Sequence, residues 1–551
     1  MKKIAIAIAA AIAVLPAALP AAPPPSKPKL IVAIAVDQFS TEVFRRYRDS
    51  YDGGLKTLAS GVAYPAGYQS HAATETCPGH STILTGRHPS GTGIVANTWF
   101  DVKTGSTIYC IATPLQADPN ARGPQNMRVT TLGDWIKAAE PGARSFAVSG
   151  KDRAAVTMAG KHADGVFWWV DGKGFRTSPF AGPAGSKTVE PANAFNAALI
   201  AQWKATPPAL WPQPSASCAA LQRPHRFGQI ELSGKVPPDA ALAATANDQF
   251  LATDDFRGAL RASPLFDATV VDFALQLIAR EGLGRGPATD VLAVSLSATD
   301  YIGHRFGNGG AEMCVQQAAL DGSLGRLMAG IAALDVPVMV VLTADHGATD
   351  AAERQHEQDG TAARLDGNAF VGRLNKALKQ QLAIEFEPIV GDDPEQLVIN
   401  VGPDATLAAK VRDAAITWLR QQAEVKAVFS RAEIEAATPP PGTSPDKLTL
   451  QQRFNESYDK ERSGDIAVAY AERTSFGVPR SVGDTVAGHG TPWDYDREVP
   501  ILFWWPGVAA DNREQPIETV DIAPTLAAIA GIKPPVPVDG HCLDLGGNCP
   551  N

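Results

Sequence analysis

The 551-residue chain has only six cysteines and no Cys-x-x-Cys pair, so a zinc site built from thiolates is not expected. It has no long basic run and a net charge of −9, which argues against a nucleic-acid scaffold, whose binding face should be basic. Beyond the first residues there is no long apolar run, so no transmembrane anchor is expected after removal of a signal. Internal repeats and heptads are also missing, which excludes solenoids and coiled coils.

What is present starts at the N-terminus. Lys2 and Lys3 precede the apolar run Ile4–Leu15, and small residues and prolines follow to Pro25. That pattern reads as a secretory signal over 1–22, cut near Ala18–Ala22, with a linker at 23–29. A periplasmic or secreted protein follows. In that compartment an even cysteine count suggests disulfides. Of the fifteen pairings, Cys542–Cys549 is the safest because it closes a short loop. Cys77–Cys110 is plausible, and Cys218–Cys314 is what would remain. With 45% hydrophobic residues the chain can bury a large core. The expected layout is an α/β core over 30–360 with a loop-rich insertion around 170–261, an inserted subdomain over 361–465, and core completion plus a tail over 466–551.

Three stretches repeat one theme. The run from Leu30 to Asp37, the run from Val291 to Asp300 and the run from Pro337 to His346 are apolar strands that end in an acid. Continuous apolar runs of this length suit strands buried on both faces of a parallel sheet. Ligands of open α/β sheets gather at the carboxyl ends of such strands. Asp37, Asp300 and Asp345 therefore stand at the expected place, although an Asp there also serves as a helix cap. His304 follows Asp300 by four residues and shares its face if a helical turn intervenes. His346 adjoins Asp345, and His489 sits between two glycines in a loop.

Residues 74–86, TETCPGHSTILTG, place the hydroxyl of Thr76 just ahead of a helix that Gly79, Ser81 or Thr82 could cap. A helix N-terminus favours an anion, and a hydroxyl at an anion site is a candidate nucleophile for phosphoryl transfer. Lys151 and Arg153 follow the strand-like run 145–149; two residues apart, they can point the same way. Arg as a fork and Lys as a point charge are the usual phosphate-binding pair. Asn97 adds a polar group after a Gly-rich turn.

Three carboxylates and three imidazoles suit Zn²⁺, or another first-row divalent ion, better than an all-oxygen calcium cage. Six ligands serve two metal ions and leave open positions. Such a pair can hold the attacking and leaving oxygens of an in-line displacement. Two further cations favour a monoester dianion over a diester.

These motifs resemble the alkaline phosphatase superfamily, and within it the secreted single-chain, threonine-nucleophile bacterial alkaline phosphatases. The matching pieces are AVDQF at 35–39, TETCPGHSTILTG at 74–86, the Asn of VANTWFD, GKDR at 150–153, SATDYIGH at 297–304, TADHG at 343–347, AGHGT at 487–491 and DIAPTLAAIAGI at 521–532. The resemblance implies an alkaline-phosphatase-like core with a mostly parallel central sheet. It implies two zinc ions per chain, one on Asp300, His304 and His489 and one on Asp37, Asp345 and His346, with Thr76 bridging toward the second as nucleophile. Asn97, Lys151 and Arg153 match the phosphate-binding trio. The expected activity is hydrolysis of small phosphate monoesters by a monomeric enzyme through a phosphothreonine, with a broad range of leaving groups. A nucleotide pyrophosphatase or phosphodiesterase of the same superfamily would share the metals without needing Lys151 and Arg153. An exported metal- or phosphate-binding protein would lack turnover. A sulfatase is disfavoured because its formylglycine motif needs Cys-x-Pro-x-Arg, whereas Pro78 directly follows Cys77.

Overall fold

The computed structural model describes residues 25–113, 121–179, 186–237, 254–391 and 393–549; the signal over 1–22 lies outside them. Ten strands form the central sheet: β1 (Leu30–Val36), β2 (Val62–Tyr68), β3 (Ser145–Ser149), β4 (Gly165–Val170), β5 (Gly174–Arg176), β6 (Asp290–Leu296), β7 (Val338–Thr343), β8 (Glu498–Trp504), β9 (Asp511–Asn512) and β10 (Ile517–Glu518). Their order is β9-β2-β8-β7-β1-β6-β3-β4-β5, with β10 also on β2. The centre, β7-β1-β6-β3-β4, is parallel, and β8 is antiparallel to both its neighbours. This is the mostly parallel α/β core expected from the sequence.

Every residue of β1 is buried. Leu30, Val32, Ile34 and Val36 enter one apolar core, and Ile31, Ala33 and Ala35 the other. Alternation of side chains along a strand explains why an uninterrupted apolar run serves two faces at once. Helices α1 (Thr41–Tyr47), α5 (Pro264–Glu281) and α7 (Ala311–Ala332) cover the first face. Helices α2 (Thr76–Ile83), α3 (Leu132–Ala139), α4 (Asp152–Ala159) and α8 (Ile522–Ala530) cover the second, while α6 (Ala298–Phe306) follows β6.

A second sheet of four strands, Ile389–Val390, Gln396–Ile399, Ile466–Tyr470 and Val425–Ser430, packs under helices Gly367–Leu382 and Ala405–Leu419 with its own apolar core. Ile466–Tyr470 is an inner strand of this sheet, although the sequence reading placed it at the start of the core completion. Its fully buried pattern looks the same in either sheet. The stretch 170–261, read as mostly loops, contains the helix Ser186–Ala205, a hairpin pairing His225–Phe227 with Ile230–Leu232, and the helix Asp254–Arg261. Pro191 and the small residues of the long helix hid its periodicity.

Three disulfides, Cys77–Cys110, Cys218–Cys314 and Cys542–Cys549, use every cysteine. Among the described residues no helix is long and apolar enough to cross a membrane.

Candidate active site

Register brings the functional side chains to one edge. Val36 lies opposite Leu296, Ala35 opposite Thr343, and Ser295 opposite Ser149. The chain therefore leaves β1, β6, β7 and β3 at a common level, delivering Asp37, Asp300 in the first turn of α6, Asp345, and Lys151. All four are buried.

Three histidines meet these carboxylates with their ring orientation fixed. Nδ1 of His304 donates to the Ala487 carbonyl at 2.8 Å, Nδ1 of His489 to the Thr74 carbonyl at 2.8 Å, and Nδ1 of His346 to the Gly347 carbonyl at 2.9 Å. Each ring thus presents Nε2 inward, the arrangement by which a backbone acceptor sets the ligating nitrogen. Nε2 of His304 and of His489 lie 3.2 and 3.4 Å from Asp300 Oδ1, and Nε2 of His346 lies 3.2 Å from Asp345 Oδ2. Burial, and next to it His346, lowers the pKa of His489 to about 4, so it is held as the neutral base a metal requires.

The donor set fits divalent metal ions on a second count. Asp37 Oδ2 is met by Lys151 Nζ at 2.9 Å, but Asp345 Oδ2 and His346 Nε2, 3.2 Å apart, are buried without a well-formed hydrogen bond. Buried polar atoms are rarely left so, and carboxylate oxygen with imidazole nitrogen is zinc-type chemistry. The ligand atoms fall into two groups, Asp300 with His346 and His489, and Asp37 with His80 and Asp345. His346 therefore stands between the two clusters. Its ring stacks on His489 at 3.6 Å between centroids, and His304 lies 5.0 Å from the same ring.

Thr76 is the first residue of α2, and Glu75 precedes it as the cap. The helix begins earlier than the Gly79, Ser81 or Thr82 caps the sequence suggested. The reason is tertiary. Asn97 Oδ1 accepts the Cys77 N–H at 2.9 Å, doing the work of an N-cap from a distant loop. Pinned this way, the Asn97 amide has its Nδ2 donor free of that bond. Gly79 lets the helix lie against the end of β7, since a Cβ there would stand 1.9 Å from the Asp345 carbonyl oxygen. Arg153 Nη2 donates to Thr76 Oγ1 at 3.3 Å. Lys151 Nζ lies 2.5 Å from Asp300 Oδ2 and 2.9 Å from Asp37 Oδ2. Burial alone would lower the Lys151 pKa, but these two carboxylates outweigh it and hold it above the ordinary lysine value.

Three partners of the site escaped the sequence reading. His80, one turn after Thr76, has Nδ1 2.9 Å from the Thr76 carbonyl and Nε2 3.1 Å from Ser295 Oγ, with Asp345 and Asp37 at 3.2 and 3.3 Å. Both ring nitrogens of His80 are thus hydrogen-bonded, whereas Nε2 of His346 makes no well-formed hydrogen bond and faces Asp345 Oδ2 at 3.2 Å. Ser295 donates to Asp37 Oδ1 at 2.9 Å. Gln38 takes a left-handed backbone (φ 63°), its N–H reaching Asp345 Oδ1 at 3.0 Å and its Nε2 reaching Asp300 Oδ1 at 3.1 Å. A non-glycine residue at positive φ is costly and persists where the surroundings impose it; here it ties the two carboxylates together. The i, i+4 spacing of Thr76 and His80 was the available signal for one of these. Gln38 and Ser295 offered none.

A sheet of this topology with such a site defines a class of metal-assisted phosphoryl-transfer enzymes, and similarity to known proteins narrows it. The family model of type I phosphodiesterase / nucleotide pyrophosphatase matches residues 31–492. The chain is 40% identical over 538 residues to alkaline phosphatase PhoK of a Sphingomonas species, covering 94% of this chain and 91% of that protein. It is 38% identical to alkaline phosphatase PhoD of Zymomonas mobilis, covering 94% and 88%. A crystal structure of wild-type alkaline phosphatase PafA superposes with a TM-score of 0.78 at 25% identity over 94% of this chain and 97% of that one. The chain belongs to the type I phosphodiesterase / nucleotide pyrophosphatase family, within the alkaline phosphatase superfamily.

Proposed function

We propose that this chain hydrolyses phosphate monoesters through a phosphothreonine formed on Thr76, with two zinc ions as cofactors. It is an enzyme, a phosphoric monoester hydrolase of the alkaline phosphatase kind. Asp300, His304 and His489 would hold one ion; Asp37, Asp345 and His346 would hold the other, with Thr76 beside it. When bound, the ions supply Lewis acidity that lowers the pKa of the threonine hydroxyl and offsets charge on the departing alkoxide.

The protein's own groups do the rest. Thr76 Oγ attacks phosphorus, the ester P–O bond breaks, and the alcohol departs. Water then attacks the phosphothreonine, the P–Oγ bond breaks, and inorganic phosphate leaves with Thr76 restored. The Asn97 amide, Lys151 and Arg153 bind the non-bridging oxygens, where donors fixed in advance stabilise developing charge. Because these groups grip the phosphoryl part alone, a broad range of leaving groups is expected. His80, Ser295 and Gln38 keep the carboxylates in place.

The observation that carries this reading is the contact of Arg153 with the hydroxyl of Thr76, at the N-terminus of a buried helix whose next amide is held by Asn97. The test compares an aryl phosphate monoester with its diester on one preparation of known metal content. Faster monoester turnover is expected; faster diester turnover would make the chain a phosphodiesterase. The reading extends to a periplasmic or secreted protein, supported by disulfides that persist in an oxidising compartment, and to a monomer.

A further inference from the structure

A further cluster of ligand atoms, half-buried at His88 and Glu518 and buried at Glu456, lies apart from the residues above. His88 follows the nucleophile helix, Glu456 lies in the last turn of the helix Leu450–Ser457 of the inserted region, and Glu518 closes β10 in the last core segment. One donor atom from each falls within 4.8 Å of the others. His88 Nε2 is 3.1 Å from Ser70 Oγ, 3.5 Å from Glu518 Oε1 and 3.9 Å from Glu456 Oε2. The two carboxylate separations are longer than ordinary hydrogen bonds. They approach the spacing of ligands around a tetrahedral ion, about 3.4 Å for bonds of about 2.1 Å. Glu456 is 7% exposed, and its Oε2 has no hydrogen-bond partner. A buried carboxylate oxygen aimed into such a cluster without a donor needs a cation.

The backbone at His88 is held in place as well. Its N–H donates to Asp539 Oδ2 at 2.8 Å, and the same oxygen lies 3.8 Å from Nδ1, beyond hydrogen-bond distance. The cluster opens into a cavity of about 510 Å³ bounded by the loop around Pro439–Pro441, which gives an ion a route in.

We infer that His88, Glu456 and Glu518 form a third metal site, for a first-row divalent cation such as Zn²⁺ or Mn²⁺, that fastens the inserted region to the core. One imidazole nitrogen with two carboxylate oxygens suits those ions. His88 precedes Glu456 by 368 residues and Glu456 precedes Glu518 by 62, so an ion here cross-links the nucleophile segment, the insertion and the C-terminal part.

The experiment is metal content per chain at pH 8 after loading with Zn²⁺, or separately Mn²⁺, and desalting. Glu456→Gln, close in shape to the native side chain, should hold one equivalent fewer than wild type while keeping monoesterase turnover. Its thermal midpoint should also respond less to a chelator than that of wild type. An unchanged metal count in Glu456→Gln overturns the proposal. Should that variant fail to fold, Asp37→Asn/Asp300→Asn removes ligands of the catalytic pair instead. One tightly held equivalent remaining there, lost on adding His88→Gln, supports the site; no such equivalent overturns it. Neither arm depends on which reaction the catalytic site performs.

Discussion

Arg153 places a guanidinium nitrogen 3.3 Å from the hydroxyl oxygen of Thr76. A permanent cation on that oxygen favours its anionic form and then a phosphoryl group built on it.

Removing either cation should therefore weaken monoester hydrolysis selectively. Lys151→Ala and Arg153→Ala should lower kcat/KM for an aryl monoester by about 10²–10³-fold, and for the diester by less. Arg153→Lys should not rescue, because a point charge cannot reproduce the fork. Steady-state rates on the paired substrates check this; equal losses would mean that these side chains do not read the dianion.

Dialysis against a chelator should abolish turnover, and Zn²⁺ should restore it. His489→Ala should lower both metal content and activity, since its Nε2 faces Asp300 at 3.4 Å. Full activity in a sample shown to be metal-free would contradict the two-ion reading.

Asp267, behind the turn that carries Asp300, supplies a pH test of stability. It is buried on α5 and accepts from the Ala298 N–H and from Gln316 Nε2, both at 2.8 Å. Burial outweighs these bonds and raises its pKa to about 7. The folded state therefore holds a proton between about pH 4 and 7 that the unfolded state has released, so this group lowers stability as pH rises through that window. Asp267→Asn removes the titration. Its stability relative to wild type should rise from pH 4 to pH 8, by an amount on the order of 4 kcal/mol at most. Denaturant melts of both proteins at the two pH values measure it; a constant difference would count against the buried-acid account.

The disulfides should contribute unequally. Cys218–Cys314 spans 96 residues and Cys542–Cys549 only 7. Loop-closure entropy predicts a larger stability loss from Cys218→Ser/Cys314→Ser, in the range of about 2–5 kcal/mol, than from the C-terminal pair. Thermal melts of the two double variants, under non-reducing conditions, test the order.

Much of this was legible in the chain because parallel strands announce themselves. Leu30–Val36, Asp290–Leu296 and Val338–Thr343 are buried throughout and apolar apart from Asp290, Ser295 and Thr343, since helices cover both faces, and each leads within four residues to a carboxylate. Asp37, Asp300, Asp345, His346, Lys151 and Arg153 stand out in the sequence at or near strand ends, His304 by its spacing from Asp300, Thr76 ahead of a helix, Asn97 after a Gly-rich turn and His489 in a Gly-His-Gly loop. The start of α2 was not, because its first amide bond is capped by Asn97 from a loop 20 residues away rather than by a local Ser or Thr. Gln38 was invisible for a similar reason: its role comes from a left-handed backbone that no local pattern encodes. The smaller sheet claimed Ile466–Tyr470 through pairing with Gln396–Ile399 and Val425–Ser430, a choice between sheets that hydrophobicity alone does not make.

The most direct measurement is capture of the covalent intermediate. The enzyme is mixed with a monoester, quenched in acid within the first turnovers, digested, and analysed by mass spectrometry alongside Thr76→Ala. One phosphoryl group on Thr76 is predicted, absent from the variant, whose kcat should be lower by at least about 10³-fold. A phosphoryl group on another side chain, or a Thr76→Ala enzyme that turns over at the wild-type rate, would contradict the account.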